Sequence, residues 1–190
     1  MNKLEAPTPQ LDHNLKYQLH QRVIYPGQGI CEVISIEEKN IVGINVSFYI
    51  LRVENSNRKI MVPVMNVDAV GLRPLASETQ IREIFEILNS SQELPPDSNW
   101  PKRVRYLAEK IKNGTMKDLA EIVCTMMKFK QCGHKLSWSE TRMLREAKDL
   151  LIQEIAASRK QTIIQVETEI EAIFAVKGHK RPAHTAVLTK

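Results

Sequence analysis

Between residues 22 and 64 the apolar positions come in short β-branched runs, and from residue 77 onward they return every three to four positions. The chain therefore predicts a sheet followed by helices. The runs cover 22–25, 30–36, 44–53 and 58–64, separated by Pro26-Gly27-Gln28-Gly29, by the polar stretch 37–40 ending near Gly43, and by Asn55-Ser56-Asn57. Turn signals this close together predict antiparallel pairing. Four or five short strands in about 45 residues are too few for a sandwich but enough for a curled sheet or small barrel, with an SH3-like or Tudor-like form favoured. Residues 1–20 are polar, carry Pro7 and Pro9, and predict a flexible arm.

The period lengthens in a short segment at Val67 to Val70 that stops at Gly71, and then over 77–88. In the latter, Ser77 and Gln80 make a capping box, and Ile81, Ile84, Phe85 and Leu88 form one stripe, expected to close an open side of the barrel. The stretch NSSQELPPD reads as a linker. Beyond it four helices are predicted. The first runs over 99–112, with Val104, Leu107, Ala108 and Ile111 inward, and ends at Asn113-Gly114. The second is capped by Thr115 and Asp118 and buries Leu119, Ile122, Val123 and Met126. The third is capped by Ser137 and Glu140 and buries Leu144, Ala147, Leu151 and Ile155. The fourth, over 162–175, offers Val166, Ile170, Ile173 and Phe174. The expected plan is a two-domain α+β protein: an arm (1–20), a small β-barrel with a capping helix (21–90), a linker (91–98), a helical bundle (99–176) and a basic tail (177–190).

Charge narrows the partner classes. A net charge of +5 and a pI near 9.1 favour a polyanion, although such an excess also occurs on proteins that bind none. Cys31, Cys124 and Cys132 are odd in number and scattered, which points to a reducing cytosol rather than a disulfide framework. Without a signal-peptide core or a long apolar span the chain is expected to be soluble and cytoplasmic, with no membrane partner. Nucleophile-elbow, P-loop, dinucleotide and zincin motifs are missing, so neither catalysis nor a cofactor is expected. Gly27 and Gly29 read as a tight turn rather than a phosphate cradle. Cys124, Cys132 and His134 lack a fourth ligand, so no metal is expected. Met116, Met126, Met127 and Met143 read as core filling.

The sharpest local signal is Asn99-Trp100-Pro101-Lys102-Arg103-Val104-Arg105, an aromatic and three cations at a helix start just past a hinge. With Val104, Leu107, Ala108 and Ile111 inward, Lys102, Arg103, Arg105, Lys110 and Lys112 fall on the flanks and outer face. A ring beside phosphate-binding cations can wedge against bases, while from the residues alone the simpler reading of the same ring is an anchor for a domain contact. Trp138, in the first turn of a capped helix, is expected to cover the end of the bundle.

The order of motifs Val23-Ile-Tyr-Pro-Gly-Gln-Gly29, Phe48-Tyr-Ile-Leu51, Met61-Val-Pro-Val64, Val70-Gly-Leu-Arg-Pro74, Asn99-Trp100, Ala120-Glu-Ile-Val123 and Leu136-Ser-Trp-Ser-Glu-Thr-Arg-Met-Leu144 resembles the CarD/CdnL family of bacterial RNA polymerase-binding regulators. The resemblance implies a Tudor-like domain, akin to that of transcription-repair coupling factors, that binds the polymerase β subunit through Lys39, Arg58, Met61 and Pro63. It also implies a helical domain on promoter DNA at the upstream edge of the bubble. There Trp100 would enter the minor groove, with Lys102, Arg103, Arg105 and Arg142 on phosphates. Some members carry Arg where this chain has Met61, and a basic residue where it has Thr141. The protein is then expected to be a monomer that binds DNA weakly alone and reaches the nucleoid through polymerase. The alternative is a protein-protein module that binds polymerase and recruits another factor without touching DNA.

Overall fold

The computed structural model describes residues 15–90 and 100–177. Five antiparallel strands, β1 (Arg22–Tyr25), β2 (Gly29–Ile41), β3 (Ile44–Val53), β4 (Lys59–Pro63) and β5 (Arg73–Pro74), lie in the order β4-β3-β2-β1-β5. Five helices follow: α1 (Glu78–Asn89), α2 (Trp100–Asn113), α3 (Met116–Gln131), α4 (Trp138–Arg159) and α5 (Ile163–Lys177). The fold is the expected Tudor-like sheet joined to a helical domain.

The strands form where β-branched and aromatic residues alternate with polar ones. One face of the sheet carries Val33, Tyr49, Leu51, Val53 and Val62, all buried in a single core. β2 is longer than the periodicity suggests. The polar stretch 37–40, expected as a turn, stays in the ladder opposite Asn45, Val46, Ser47 and Phe48, and the chain reverses only at Val42-Gly43. Both turn residues have positive φ, 51° and 82°, as a two-residue hairpin of this hand requires. Short β5, not anticipated from sequence, pairs with β1 through Val23↔Pro74 and Ile24↔Arg73.

Two expectations are corrected here. Residues 15–20, assigned to a flexible arm, contribute Tyr17 to the sheet core. Its ring meets Tyr49 edge-on at 5.8 Å, its hydroxyl donates to the Leu72 carbonyl at 2.7 Å, and its backbone N–H donates to the Tyr49 hydroxyl at 3.0 Å. An aromatic ring with both polar ends satisfied is stable inside, and polar neighbours concealed it in the pattern. The remainder of the arm, the 91–98 linker and the tail beyond Lys177 lie outside the described residues.

The second correction concerns α1. Its capping box forms as read, with the Ser77 hydroxyl accepting from the Gln80 N–H, but its stripe does not close the barrel. Ile81, Ile84 and Leu88 are buried in the helical core with Leu119, Ile122, Val123 and Ile155. The sheet fills its own interior with Tyr17, Val67 and Leu72, so α1 finds apolar partners on α3 instead. The remaining helical stripes stand as read except at Ala108, which is exposed, and at Val104 and Ile173, which are only half buried.

One polar cluster fastens α2 to α3. Lys110 donates to Asp118 at 2.7 Å and to Glu121 at 2.6 Å, and Asp118 also accepts from the Thr115 hydroxyl. Burial alone would push the Lys110 ammonium down, but its hydrogen bonds to Asp118 and Glu121 outweigh this and carry it above the ordinary lysine value. Burial would likewise raise the Asp118 carboxyl, but hydrogen bonds from Lys110 and Thr115 hold it below its ordinary value. A depressed carboxylate contributes stability above its unfolded pKa and loses it as pH falls through the folded one. The stability advantage of the wild type over Asp118→Asn is therefore expected at neutral pH and should vanish well below pH 3.8. Urea midpoints along an acid series check this; an advantage that persists in acid would contradict it.

Candidate functional site

The sheet and the helices meet along a polar seam. Arg73, at the end of the sheet, pairs through both guanidinium nitrogens with the Glu154 carboxylate of α4 and donates to the Gly114 carbonyl at 3.3 Å. Glu154 is 2% exposed and also accepts from the Ala76 N–H at 3.2 Å. Beside this pair Gly114, at φ +61°, comes so close to the Pro26-Gly27 turn that a Cβ there would lie 2.9 Å from Gly27 N and from Pro26 Cα. Farther along α4, Gln153 accepts from Asn55 at 2.6 Å, and Leu150 packs on Gly29. The Pro-Gly turn is thus a docking element between the domains. Its glycines have the positive φ expected of a tight turn, 69° at Gly27 and 83° at Gly29.

The residues expected on the polymerase face lie on or beside one side of the sheet. In register, Met61 faces Ile50 and Ser35, Pro63 faces Phe48 and Glu37, and Lys39 faces Val46. These side chains share the face opposite the buried core. Met61 is 48% exposed on β4, which among the described residues pairs with β3 alone and so forms one edge of the sheet. Arg58 is exposed in the β3–β4 turn, where it donates to Gln28 and to the Ser56 hydroxyl at 3.1 Å. Lys39 is exposed near the other end of the hairpin, on the order of 20 Å away by strand rise, with Glu37 at 3.8 Å. Met61 and Pro63 are therefore together, with Arg58 and Lys39 at opposite ends.

The expected DNA-contacting residues fall elsewhere. Ala108, Ile111 and Lys112 of α2 line a shallow groove with Met143 and Glu146 of α4. Gly114, just past the end of α2, lies nearer Leu150 and Glu154. Partners climb along both helices together, so α2 and α4 run side by side in the same direction. Trp100 lies eight positions before Ala108 and Trp138 five before Met143, about 12 and 8 Å by helical rise. Both helices therefore begin at one end of the bundle, away from the seam. The backbone of α2 carries Trp100, Lys102 and Arg103 at this end, in the first turn, and their side chains lie outside the described residues. Arg105 is exposed on the next turn. Lys110, expected among the cations of the flanks and outer face, lies on the flank that meets α3, where Asp118 and Glu121 hold it.

At the start of α4, Arg142 lies over the Trp138 ring, 5.9 Å from its centroid. Trp138 is 76% exposed, which corrects its expected packing over the bundle end. The signal was present in the sequence. Nine positions separate Trp138 from buried Ala147, half a turn out of phase, whereas Arg142 and Arg145 continue the Trp138 face at i+4 and i+7. Cys124 is buried in the helical core and Cys132 is exposed in the α3–α4 turn, so the two are not brought together.

Two family models match the chain in succession: the CarD-like/TRCF RID domain over residues 17–76 and the CarD C-terminal domain over residues 83–171. The break between them, residues 77–82, follows Arg73 and Ala76 and holds the start of α1, whose remainder falls in the second match. The fold and this pair of domains define an RNA polymerase-interacting transcription factor. The protein named "Putative transcription factor YdeB" of Bacillus subtilis (strain 168) is 28% identical over 154 residues, covering 80% of this chain and 98% of that protein. The solved structure "CdnLNt from Myxoccoccus xanthus" is 37% identical and covers 38% of this chain and 97% of that one, with a TM-score of 0.29. The chain belongs to the CarD/CdnL family. Among the described residues no helix is long and apolar enough to cross a membrane.

Proposed function

We propose that the protein binds the RNA polymerase β subunit through the β4 side of its sheet and holds its helical domain against promoter DNA at the upstream edge of the bubble. It then stabilises the open complex by binding alone, without catalysing a reaction. The observation that carries this reading is the seam. Arg73, Glu154 and Gly114 fasten sheet and helices together, so docking of the one fixes the position of the other. The end of the bundle remote from the seam carries Arg105 and Arg142, with Lys102 and Arg103 in the adjoining turn. A domain already positioned by polymerase needs little intrinsic DNA affinity, because tethering raises the effective concentration.

The energetic role is a population shift. Contacts that exist only with melted DNA favour the open complex over the closed one by their own free energy. On the sheet side, Met61 offers an apolar contact beside the unpaired edge of β4, where an extended segment of a partner can add as a further strand.

The test is the lifetime of polymerase-promoter complexes after challenge with a competitor. Trp100→Ala is expected to retain polymerase binding and shorten the lifetime about tenfold, the range of one lost stacking contact. Neutralising Lys102, Arg103 and Arg105 together should weaken retention and flatten its salt dependence. Lifetimes unchanged in both variants would exclude DNA contact and favour a module that recruits another protein.

A further inference from the structure

We infer that Trp138 and Arg142 form a second aromatic contact to promoter DNA, the ring packing on a base or sugar and the guanidinium reaching the neighbouring phosphate. The inference rests on the reading of the helical domain as DNA-contacting and adds Trp138 to it, beside the Arg142 that the family resemblance already implies on a phosphate.

The exposure of Trp138 needs an explanation. An indole left 76% open at the surface forgoes much of the largest apolar burial any side chain can offer, although apolar groups of the helical core lie within two turns along α4. Nor does the ring serve to start the helix. Ser137 and Glu140 do that, Ser137 accepting from the Glu140 N–H while the Glu140 carboxylate takes the Ser137 N–H at 2.8 Å. The ring projects from the first turn with Arg142 against it, and Arg142 makes no ion pair among the described residues. A guanidinium on an indole face is held in place while its outward N–H groups stay free to donate.

Charge decides which partner suits this surface. Trp138, Arg142 and Arg145 form one exposed stripe on α4, and exposed Lys130, His134 and Lys135 line the groove beside its first turn with Thr141. From Lys128 to Arg145 the sole acidic residue is Glu140, which is buried in its cap, and the next acid, exposed Glu146, lies a turn beyond Arg142 in the groove toward α2. Four exposed cations, Lys130, Lys135, Arg142 and Arg145, with no acid interleaved at the surface match the even charge of a phosphate backbone. Position agrees. The first turn of α4 lies at the same end of the bundle as the first turn of α2, so a strand that runs past one helix start comes within reach of the other.

Fluorescence anisotropy of a labelled bubble duplex, titrated at low salt with the full-length chain, tests this. Trp138→Ala should weaken binding about tenfold, and Arg142→Ala by severalfold with a shallower salt dependence. The Trp138 ring is outside the core, so an unchanged melting curve should accompany the loss. Trp100→Phe leaves Trp138 as the sole tryptophan, and its emission should be quenched as the DNA binds. Stronger quenching by the bubble than by a closed duplex of the same sequence would identify an unstacked base as the ring's partner, and equal quenching a groove or sugar contact. If wild-type protein changes the anisotropy while Trp138→Ala binds equally well and the Trp138 emission stays constant, the inference is overturned but the DNA reading survives. If wild-type protein produces no anisotropy change and no added stability of polymerase-promoter complexes, both are overturned.

Discussion

Replacing Glu154 with alanine is expected to lower the unfolding free energy by about 3 kcal/mol, the lower end of the range for breaking a buried ion pair. The lower end applies because the Arg73 side chain keeps 29% of its surface exposed and recovers some hydration once its partner is gone. Removal of the Glu154 carboxylate, 3% exposed, also leaves the Ala76 N–H without its acceptor. Glu154→Gln separates the contributions, since it can still accept from Ala76 but lacks the charge that holds Arg73; a loss of roughly half is expected. Replacing Arg73 and Glu154 together by methionine and leucine should recover most of the deficit, because no uncompensated charge then remains in the seam. Urea denaturation of the full chain followed by circular dichroism measures all three. The wild type should unfold in one transition, and Glu154→Ala in a broader one in which sheet and helices part company. A sharp transition at the wild-type midpoint would show that the seam contributes nothing and would also remove the support for fixed positioning of the helical domain.

The two ends of this molecule were unequally legible in the sequence. The helix caps at Ser77, Thr115 and Ser137 could be read because a cap is local: three residues fix both partners of its hydrogen bonds. The buried stripes of α3 and α4 could be read because a helix repeats its core face every turn. What failed was assignment between layers. The α1 stripe looks the same whether it lies on a sheet or on α3, and only the filled interior of the sheet decides. Arg73 and Glu154 are separated by 81 positions, and nothing local marks either as half of a pair. The pairing of Lys110 was hidden for a related reason: helical phase puts it near the flank of α2, but the acids that hold it belong to α3. In the candidate site, Trp100 and its cations stand out as a cluster in sequence. Trp138 was underrated because its capped position suggested packing, although its phase against Leu144 and Ala147 already set it on the outer face.

Gly114→Ala should destabilise the protein by about 3 kcal/mol, from two separable sources. The first is conformational: at φ +61° an alanine is strained by about 1 kcal/mol relative to glycine. The second is steric and peculiar to this position. The added methyl would stand 2.9 Å from Gly27 N and from Pro26 Cα, backbone atoms of a turn that cannot rotate aside as a side chain would. The turn must instead back away from the end of α2, which lengthens the Arg73 bond to the Gly114 carbonyl, already 3.3 Å. Gly133 supplies the control. Its φ is +85°, but a methyl there meets nothing within 4 Å, so Gly133→Ala should show the conformational term alone. The difference between the two variants isolates the close approach of the domains, and equal losses would show that the turn yields freely. A functional consequence follows from the same geometry. A displaced turn tilts the helical domain on the sheet while leaving the β4 face intact, so Gly114→Ala should bind polymerase as tightly as the wild type yet shorten the life of the promoter complex. Gly133→Ala, outside the seam, should leave polymerase binding unaltered.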